Sequence, residues 1–141
     1  MKRGGAVMKK GFKIVGIIVL VFIIGVLVWC LVPTRFCNID AQQVEKIEVF
    51  DGSRGVELEI SDSEEIAYLV DNWNQASASK RIIPLPAGGF KFHVTVYLES
   101  GKTEEFTINT EDDAKREIIY YKRAKGNLCY EYLDELAEKA G

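Results

Sequence analysis

The longest apolar stretch of the chain runs from Ile14 to Val32 and contains no charged side chain. As a helix that rises about 1.5 Å per residue, it spans roughly 28 Å, close to the ~30 Å hydrocarbon thickness of a bilayer. A β-strand of this length would be unusual, since strands rarely exceed about ten residues. The pattern therefore predicts a transmembrane helix over residues 14–32, which Pro33 ends.

Alternation of apolar and polar residues predicts two paired strands after this helix. Residues 44–50 and 55–60 alternate, and residues 51–55 at their junction contain two glycines and other turn residues. Valine, leucine and isoleucine occupy the inward positions of the second strand, while Glu57 and Glu59 face outward. This arrangement is typical of a β-hairpin with one face in water.

A helical period follows the hairpin. Four apolar residues recur at the spacing of one helix face, and before them either Asp62 with Glu65 or Ser61 with Glu64 has the spacing of a capping box. We expect this helix to pack on the hairpin through the stripe, with Trp73 in the core rather than stacked on a ligand. The stripe consists of Ile66, Leu69, Val70 and Trp73.

Residues 90–98 carry the clearest strand pattern. Phe90, Phe92, Val94, Val96 and Leu98 are expected on one face, and Lys91, His93, Thr95 and Tyr97 on the other. A glycine turn follows, and residues 103–109 predict the returning strand.

The last part of the chain predicts one more strand and a closing helix. Residues 118–121 suit a strand, although their spacing also fits a helix, and an apolar stripe follows the candidate cap Asn127. The fold class is therefore α+β, with an antiparallel sheet of about five strands and two helices in β-β-α-β-β-β-α order, after one N-terminal transmembrane helix.

Charge predicts the orientation of the chain. Five of its 18 basic residues precede the apolar stretch and all 21 acidic residues follow it, which leaves a net charge of −8 after the stretch. The positive-inside rule predicts a cell-membrane protein with a cytoplasmic basic tail at 1–13, a tether at 33–43 and an extracytoplasmic domain at 44–141. An acidic domain without a basic patch does not suit nucleic acid.

Two alternatives concern the N-terminus. A cleaved signal peptide has a shorter apolar core and small residues at its cleavage site, whereas Val32-Pro33-Thr34 offers none, so we expect an uncleaved anchor. The sequence also leaves open whether translation begins at Met1 or Met8, and either start keeps Lys9, Lys10 and Lys13 before the anchor.

The long connection at 74–89 has two interpretations. Its apolar residues Ile82, Ile83 and Leu85 argue against plain disorder, and its prolines argue against a central strand. Either these side chains cover the core at the edge of the domain, or they form a loop that contacts a partner.

No residue pattern predicts catalysis. His93 is the chain's single histidine, and neither a metal-ligand spacing nor a nucleophile motif accompanies it. We therefore expect no enzyme activity, no metal and no cofactor. His93 and Tyr97 are nevertheless candidates for a ligand-binding face of the sheet.

Cys37 and Cys129 both follow the apolar stretch, where an oxidising environment would permit a disulfide. A Cys37–Cys129 bridge would tie the tether to the last helix. The alternative is a pair of free thiols, since Cys129 also fits an apolar helix stripe.

The chain has a recognisable pattern made of four features. They are the basic start with its anchor, the hairpin IEVFDG…VELEISDSEEI, the strand FKFHVTVYL and the closing YLDEL. In these features it resembles small single-span extracytoplasmic proteins of unknown function from Gram-positive bacteria. We expect a membrane-anchored interaction or accessory module of the cell envelope, with the lipid bilayer and an envelope protein as partners. The alternative is a binding protein for a small envelope ligand, and an envelope hydrolase is a third, weaker hypothesis.

Overall fold

The structure, a computed structural model, describes residues 4–83 and 90–141, with the side chains of residues 4–7 excepted. The chain forms two compact units, Met1–Val32 and Pro33–Gly141. Leu85, one of the three apolar residues of the candidate partner loop, lies outside the described residues.

The first unit contains helix α1 (Gly4–Leu31), which begins ten residues before the predicted start. Within the described residues, Met8–Leu31 is the one segment long and apolar enough to cross a membrane. An N-terminal signal sequence meets the same criterion.

The second unit is a mixed domain built on an antiparallel sheet, which confirms the predicted α+β class. The part of it that the structure describes has eight strands, however, so the expected number of about five was wrong. They are β1 (Thr34–Arg35), β2 (Val44–Asp51), β3 (Val56–Ile60), β4 (Ser77–Lys80), β5 (Phe92–Leu98), β6 (Thr103–Ile108), β7 (Asp113–Arg116) and β8 (Ile119–Lys125). Their order across the sheet is β1-β4-β8-β7-β6-β5-β2-β3.

Two helices accompany the sheet, besides a 3₁₀ turn at Ala41–Gln43. In α2 (Ser63–Gln75), the Asp62 carboxylate accepts hydrogen bonds from the backbone N–H groups of Glu64 and Glu65, so of the two candidates Asp62, not Ser61, is the cap. Helix α3 (Tyr130–Ala140) begins after Cys129, whose φ is +62°. Asn127 does not cap it: its side-chain oxygen accepts a hydrogen bond from the Cys129 N–H, before the helix starts.

Trp73 stands at the centre of the core. It is fully buried, its indole N–H donates to the carbonyl of Leu128 at 2.9 Å, and its ring meets Phe106 edge-on at 4.9 Å between centroids. The whole predicted stripe of α2 is buried with it. The core interpretation of Trp73 is confirmed.

Residues 34–39, which we expected to belong to a tether, are instead part of the domain. Strand β1 pairs with β4, and Phe36, Cys37 and Ile39 are buried in the core. The Phe36 ring lies edge-on to Phe106 at 5.2 Å and to Tyr121 at 6.1 Å. Sequence patterning missed this because the segment is too short to show a period.

We expect Phe36→Ala to lower the free energy of unfolding by about 3–5 kcal/mol, because it removes a buried aromatic ring and leaves a cavity. The measurement is urea unfolding of the full-length protein in detergent, followed by circular dichroism. Thr34→Ala changes an exposed residue of the same segment and is expected to shift stability by no more than about 0.5 kcal/mol. Equal, small effects of the two substitutions would contradict the packed arrangement.

Candidate functional site

The two faces of the sheet differ in what covers them. The inward side chains of the strands join those of α2 and α3 in one hydrophobic cluster, which includes Ile47, Val94, Phe106, Leu69 and Leu133. The outward side chains alternate with them along each strand and remain partly exposed. We call this second side the open face: Lys46, Glu48, Phe50, His93, Thr95, Tyr97, Thr107, Lys115 and Tyr120.

Cross-strand pairing aligns several open-face residues in one row. His93 lies opposite Phe50 on one side and Thr107 on the other, and the row continues through Lys115 to Tyr120. The Lys115 ammonium lies 5.2 Å from the centre of the Tyr120 ring, a cation–π contact. The row thus combines aromatic rings with hydrogen-bonding groups.

Phe90 joins this row, although the sequence pattern placed it in the core. Strand β5 starts only at Phe92, and the chain bends at Lys91, so the predicted alternation does not extend back to Phe90. The Phe90 ring contacts Phe50 at 6.1 Å and His93 at 5.7 Å between centroids. Phe50 and Phe90 are 40% and 42% exposed, which is unusual for two phenylalanines in contact.

Tyr97 is held in an ionic network farther along the open face. Its hydroxyl donates to the Glu48 carboxylate at 2.7 Å, and the Lys46 ammonium donates to Glu48 at 2.7 Å and to Glu59 at 3.1 Å. The hydrogen bonds from Lys46 and Tyr97 lower the pKa of Glu48, and the bond to Glu48 raises the pKa of Tyr97. These contacts keep the Tyr97 ring in place.

His93 and Tyr97 are the two residues proposed for a ligand face, and the cavity that His93 lines does not include Tyr97. His93 lines a cavity of about 320 Å³, whose walls otherwise come from Glu105, Phe106, Thr107, Lys115 and Glu117. Tyr97 is not among the lining residues, because it lies four residues farther along β5. The cavity brings side chains of both charge signs close to an imidazole.

An ionic cluster around a buried aspartate lies at one end of the sheet, and sequence reasoning missed it. Asp51 is fully buried at the end of β2, and its carboxylate accepts hydrogen bonds from the backbone and hydroxyl of Ser53, from Arg54 and from Lys91. Asp134 of α3 contacts Arg54 at 2.6 Å and Lys91 at 3.2 Å. We call Asp51, Arg54, Lys91 and Asp134 the Asp51 cluster.

The cluster is electrically balanced, with two acidic and two basic side chains. Burial acts to raise the pKa of Asp51, but hydrogen bonds from Ser53, Arg54 and Lys91 outweigh it and hold the pKa well below its usual range. The carboxylate is therefore ionised and fully hydrogen-bonded. Because the Asp51 carboxylate is inaccessible to any substrate, its role is structural. Through Arg54 and Lys91 it joins the β2–β3 turn, the start of β5 and helix α3.

A signal for Asp51 was nevertheless present in the sequence. Ile47 and Val49 are inward positions of β2, and Asp51 is the next inward position by strict alternation. A carboxylate at such a position needs buried partners, and Arg54 follows three residues later.

The structure resolves part of the question about the 74–89 connection. Residues 77–80 of this connection form strand β4. Ile82 and Ile83 are 59% and 79% exposed, so neither covers the core. Ile118, which we had assigned to a strand, lies in the β7–β8 turn and is 87% exposed.

Cys37 and Cys129 are free and buried, so the proposed bridge between them is not formed in this structure. Burial raises the pKa of each thiol to about 12. Both side chains contribute to the core as small apolar groups.

Among residues 4–83 and 90–141, no three or more histidine, cysteine, aspartate or glutamate side chains are grouped so as to hold a metal ion. Comparison of the chain with protein-family models, curated proteins and solved structures finds no match.

We expect Asp51→Asn to lower the free energy of unfolding by about 3 kcal/mol, the low end for breaking a buried ion pair, because Arg54 and Lys91 keep some contact with water. Asp134→Asn is the matched control, since it touches the same cations from a half-exposed position and is expected to cost no more than about 1 kcal/mol. Urea unfolding at pH 7 measures both.

The pH dependence follows from the lowered pKa of Asp51. The ionised carboxylate stabilises the fold above the ordinary aspartate pKa near 4, and this contribution is lost as pH falls from there towards the lowered pKa. Acid unfolding between pH about 4 and 2 should therefore be steeper in the native protein than in the Asp51→Asn variant. Parallel curves would show that Asp51 has an ordinary pKa.

Proposed function

We propose that the protein is a membrane-anchored module of the cell envelope, whose extracytoplasmic domain binds a partner protein through the open face. The observation that carries this proposal is the contact between Phe50, Phe90 and His93, on the side of the sheet that the core and helices leave uncovered. Exposed aromatic residues surrounded by polar side chains are characteristic of protein interfaces.

The surroundings of this aromatic group support protein binding. The ionic network of Lys46, Glu48 and Glu59 lies on the same face and can form a polar rim. Because its side chains already contact one another, the rim loses little conformational freedom when a partner binds. The aromatic group supplies the apolar centre that such an interface requires.

The proposed location rests on α1 and on charge. Met8–Leu31 is long and apolar enough to span a bilayer. Five basic residues precede the apolar stretch at 14–32 and all acidic residues follow it, which favours a cytoplasmic N-terminus and an external domain.

A small envelope ligand is the second candidate partner, and the cavity beside His93 favours it. Lys115 and Glu105 offer a cation and an anion to such a ligand. His93→Ala would abolish binding of a ligand in the cavity. A protein interface centred on Phe50 and Phe90 would tolerate the same change better.

The membrane topology is tested on the full-length protein in its own cells. After wall removal, external protease is expected to digest the domain and to leave an N-terminal tag intact, and alkaline carbonate is expected not to extract the protein. The same protease after detergent lysis provides the control, because it must then remove the tag. A mature N-terminus after residue 32 would instead identify residues 1–32 as a cleaved signal sequence.

Partner binding is tested by crosslinking in cells and purification of the full-length protein from solubilised membranes. We expect the Phe50→Ser/Phe90→Ser double variant to lower the yield of a crosslinked partner about tenfold or more, since the aromatic centre of an interface carries most of its affinity. Tyr68→Ser is the matched control, because Tyr68 is 44% exposed but lies on α2.

Equal melting temperatures of the native and double-variant proteins would show that the fold is retained. An unchanged crosslink in the double variant would contradict binding through the open face. Loss of the crosslink in the Tyr68→Ser variant alone would move the interface to the helical side.

A further inference from the structure

Three exposed isoleucines lie at one end of the sheet. Lys80 of β4 pairs with Tyr121 of β8, and the Arg81 N–H donates to the Tyr120 carbonyl at 2.8 Å. Ile82 and Ile83 follow Arg81 as bends at the end of the sheet where β8 starts, and Ile118 occupies the β7–β8 turn at this same end. We call Ile82, Ile83 and Ile118 the isoleucine tip.

The chain enters the domain at this same end. Strand β1 is antiparallel to β4, with Thr34 opposite Ala78. The start of β1 and the end of β4 therefore lie towards the same end of the sheet. Ile82 lies four residues beyond Ala78, roughly 13 Å at 3.3 Å per residue. Within the domain, the isoleucine tip and Thr34 thus share one end, and the Asp51 cluster lies at the opposite end of the strands.

From this placement we infer that the isoleucine tip inserts into the interfacial layer of the bilayer that holds α1. The inference rests on the proposed anchoring, because only Val32 and Pro33 separate α1 from Thr34. The three backbone steps from Leu31 to Thr34 span at most about 11 Å, and we take the end of the domain nearest Thr34 to be the one that faces lipid. Isoleucines exposed there meet headgroups and acyl chains before they meet another protein.

The charges near the tip fit lipid contact. Arg81 adjoins Ile82, but its guanidinium is paired with the Asp113 carboxylate, so it brings no uncompensated charge to the interface. Charge does not attract the domain to anionic lipid, since residues 33–141 carry 13 basic and 21 acidic side chains. The contact therefore depends on apolar burial, and raising the salt concentration should not weaken it.

The geometry of the β7–β8 turn also favours insertion. Glu117 has a φ of +55°, and the turn leaves Ile118 as the most exposed isoleucine of the described domain. The Glu117 side chain lines the cavity of the open face. The two residues of this turn thus face different surroundings. Glu117 lines the cavity of the open face, and Ile118 protrudes into solvent.

The experiment places an environment-sensitive fluorophore on Ile118→Cys in the full-length protein, reconstituted in phosphatidylcholine–phosphatidylglycerol vesicles. Glu111→Cys is the control: Glu111 is exposed at the opposite end of the sheet, and only its backbone carbonyl has a described hydrogen bond. The native chain, labelled in parallel, measures the background from its own cysteines. Flotation of the vesicles confirms incorporation.

Lipid carrying a nitroxide near the headgroup is expected to quench the fluorophore at position 118 severalfold more than at position 111, and aqueous iodide is expected to do the reverse. Raising the salt concentration to 1 M should not lower the lipid quenching. Adding Ile82→Ser and Ile83→Ser should lower the lipid quenching at position 118, since the three side chains insert together.

Equal lipid quenching at positions 118 and 111 would overturn the inference, and so would protein that fails to float with the vesicles. Protection of position 118 from both quenchers would overturn it in favour of a protein contact, such as a second copy. These outcomes do not depend on the proposed partner binding through the open face. Failure of that proposal would show as an unchanged crosslink in the Phe50→Ser/Phe90→Ser variant. Failure of the anchor shows in alkaline extraction.

Discussion

The inward face of an eight-stranded sheet must be removed from water, and α2 and α3 provide the cover. Trp73 fastens α2 in two ways, because its ring packs edge-on against Phe106 of the sheet and its N–H satisfies the carbonyl of Leu128 just before α3. One side chain therefore links both helices to the strands. The helices occupy one side only, and the open face exists as a direct result.

Electrostatics complete the arrangement at the end of the sheet occupied by the Asp51 cluster. A buried carboxylate is costly unless it is paired and hydrogen-bonded, and Asp51 has both kinds of partner. Arg54 and Lys91 each reach Asp134 of α3 as well, so the charge of the β2–β3 turn is tied to the last helix. Nonpolar packing holds α3 along its length. These ion pairs fix the position of α3 relative to the β2–β3 turn.

Periodic segments of the sequence were sufficient to predict much of this fold. The stripe of α2, its Asp62 cap and the paired strands β2, β3, β5 and β6 all follow from local spacing. Strands β4 and β7 escape such reasoning because their sequences are short and polar, and it is pairing with neighbouring strands that makes them strands. The open-face group was equally hidden, since the bend that turns Phe90 outward depends on Gly52, whose N–H binds the Lys91 carbonyl.

The two edges of the sheet have a bearing on how copies of this protein coexist. One edge, β3, carries Glu57 and Glu59 outward, and the other, β1, is two residues long. Neither offers a long, neutral row of unpaired backbone groups to a neighbouring strand. Molecules confined to the plane of a membrane reach high local concentrations, where an unprotected edge would recruit further copies strand by strand. A sheet that ends in acidic and very short strands is protected against such strand-by-strand addition.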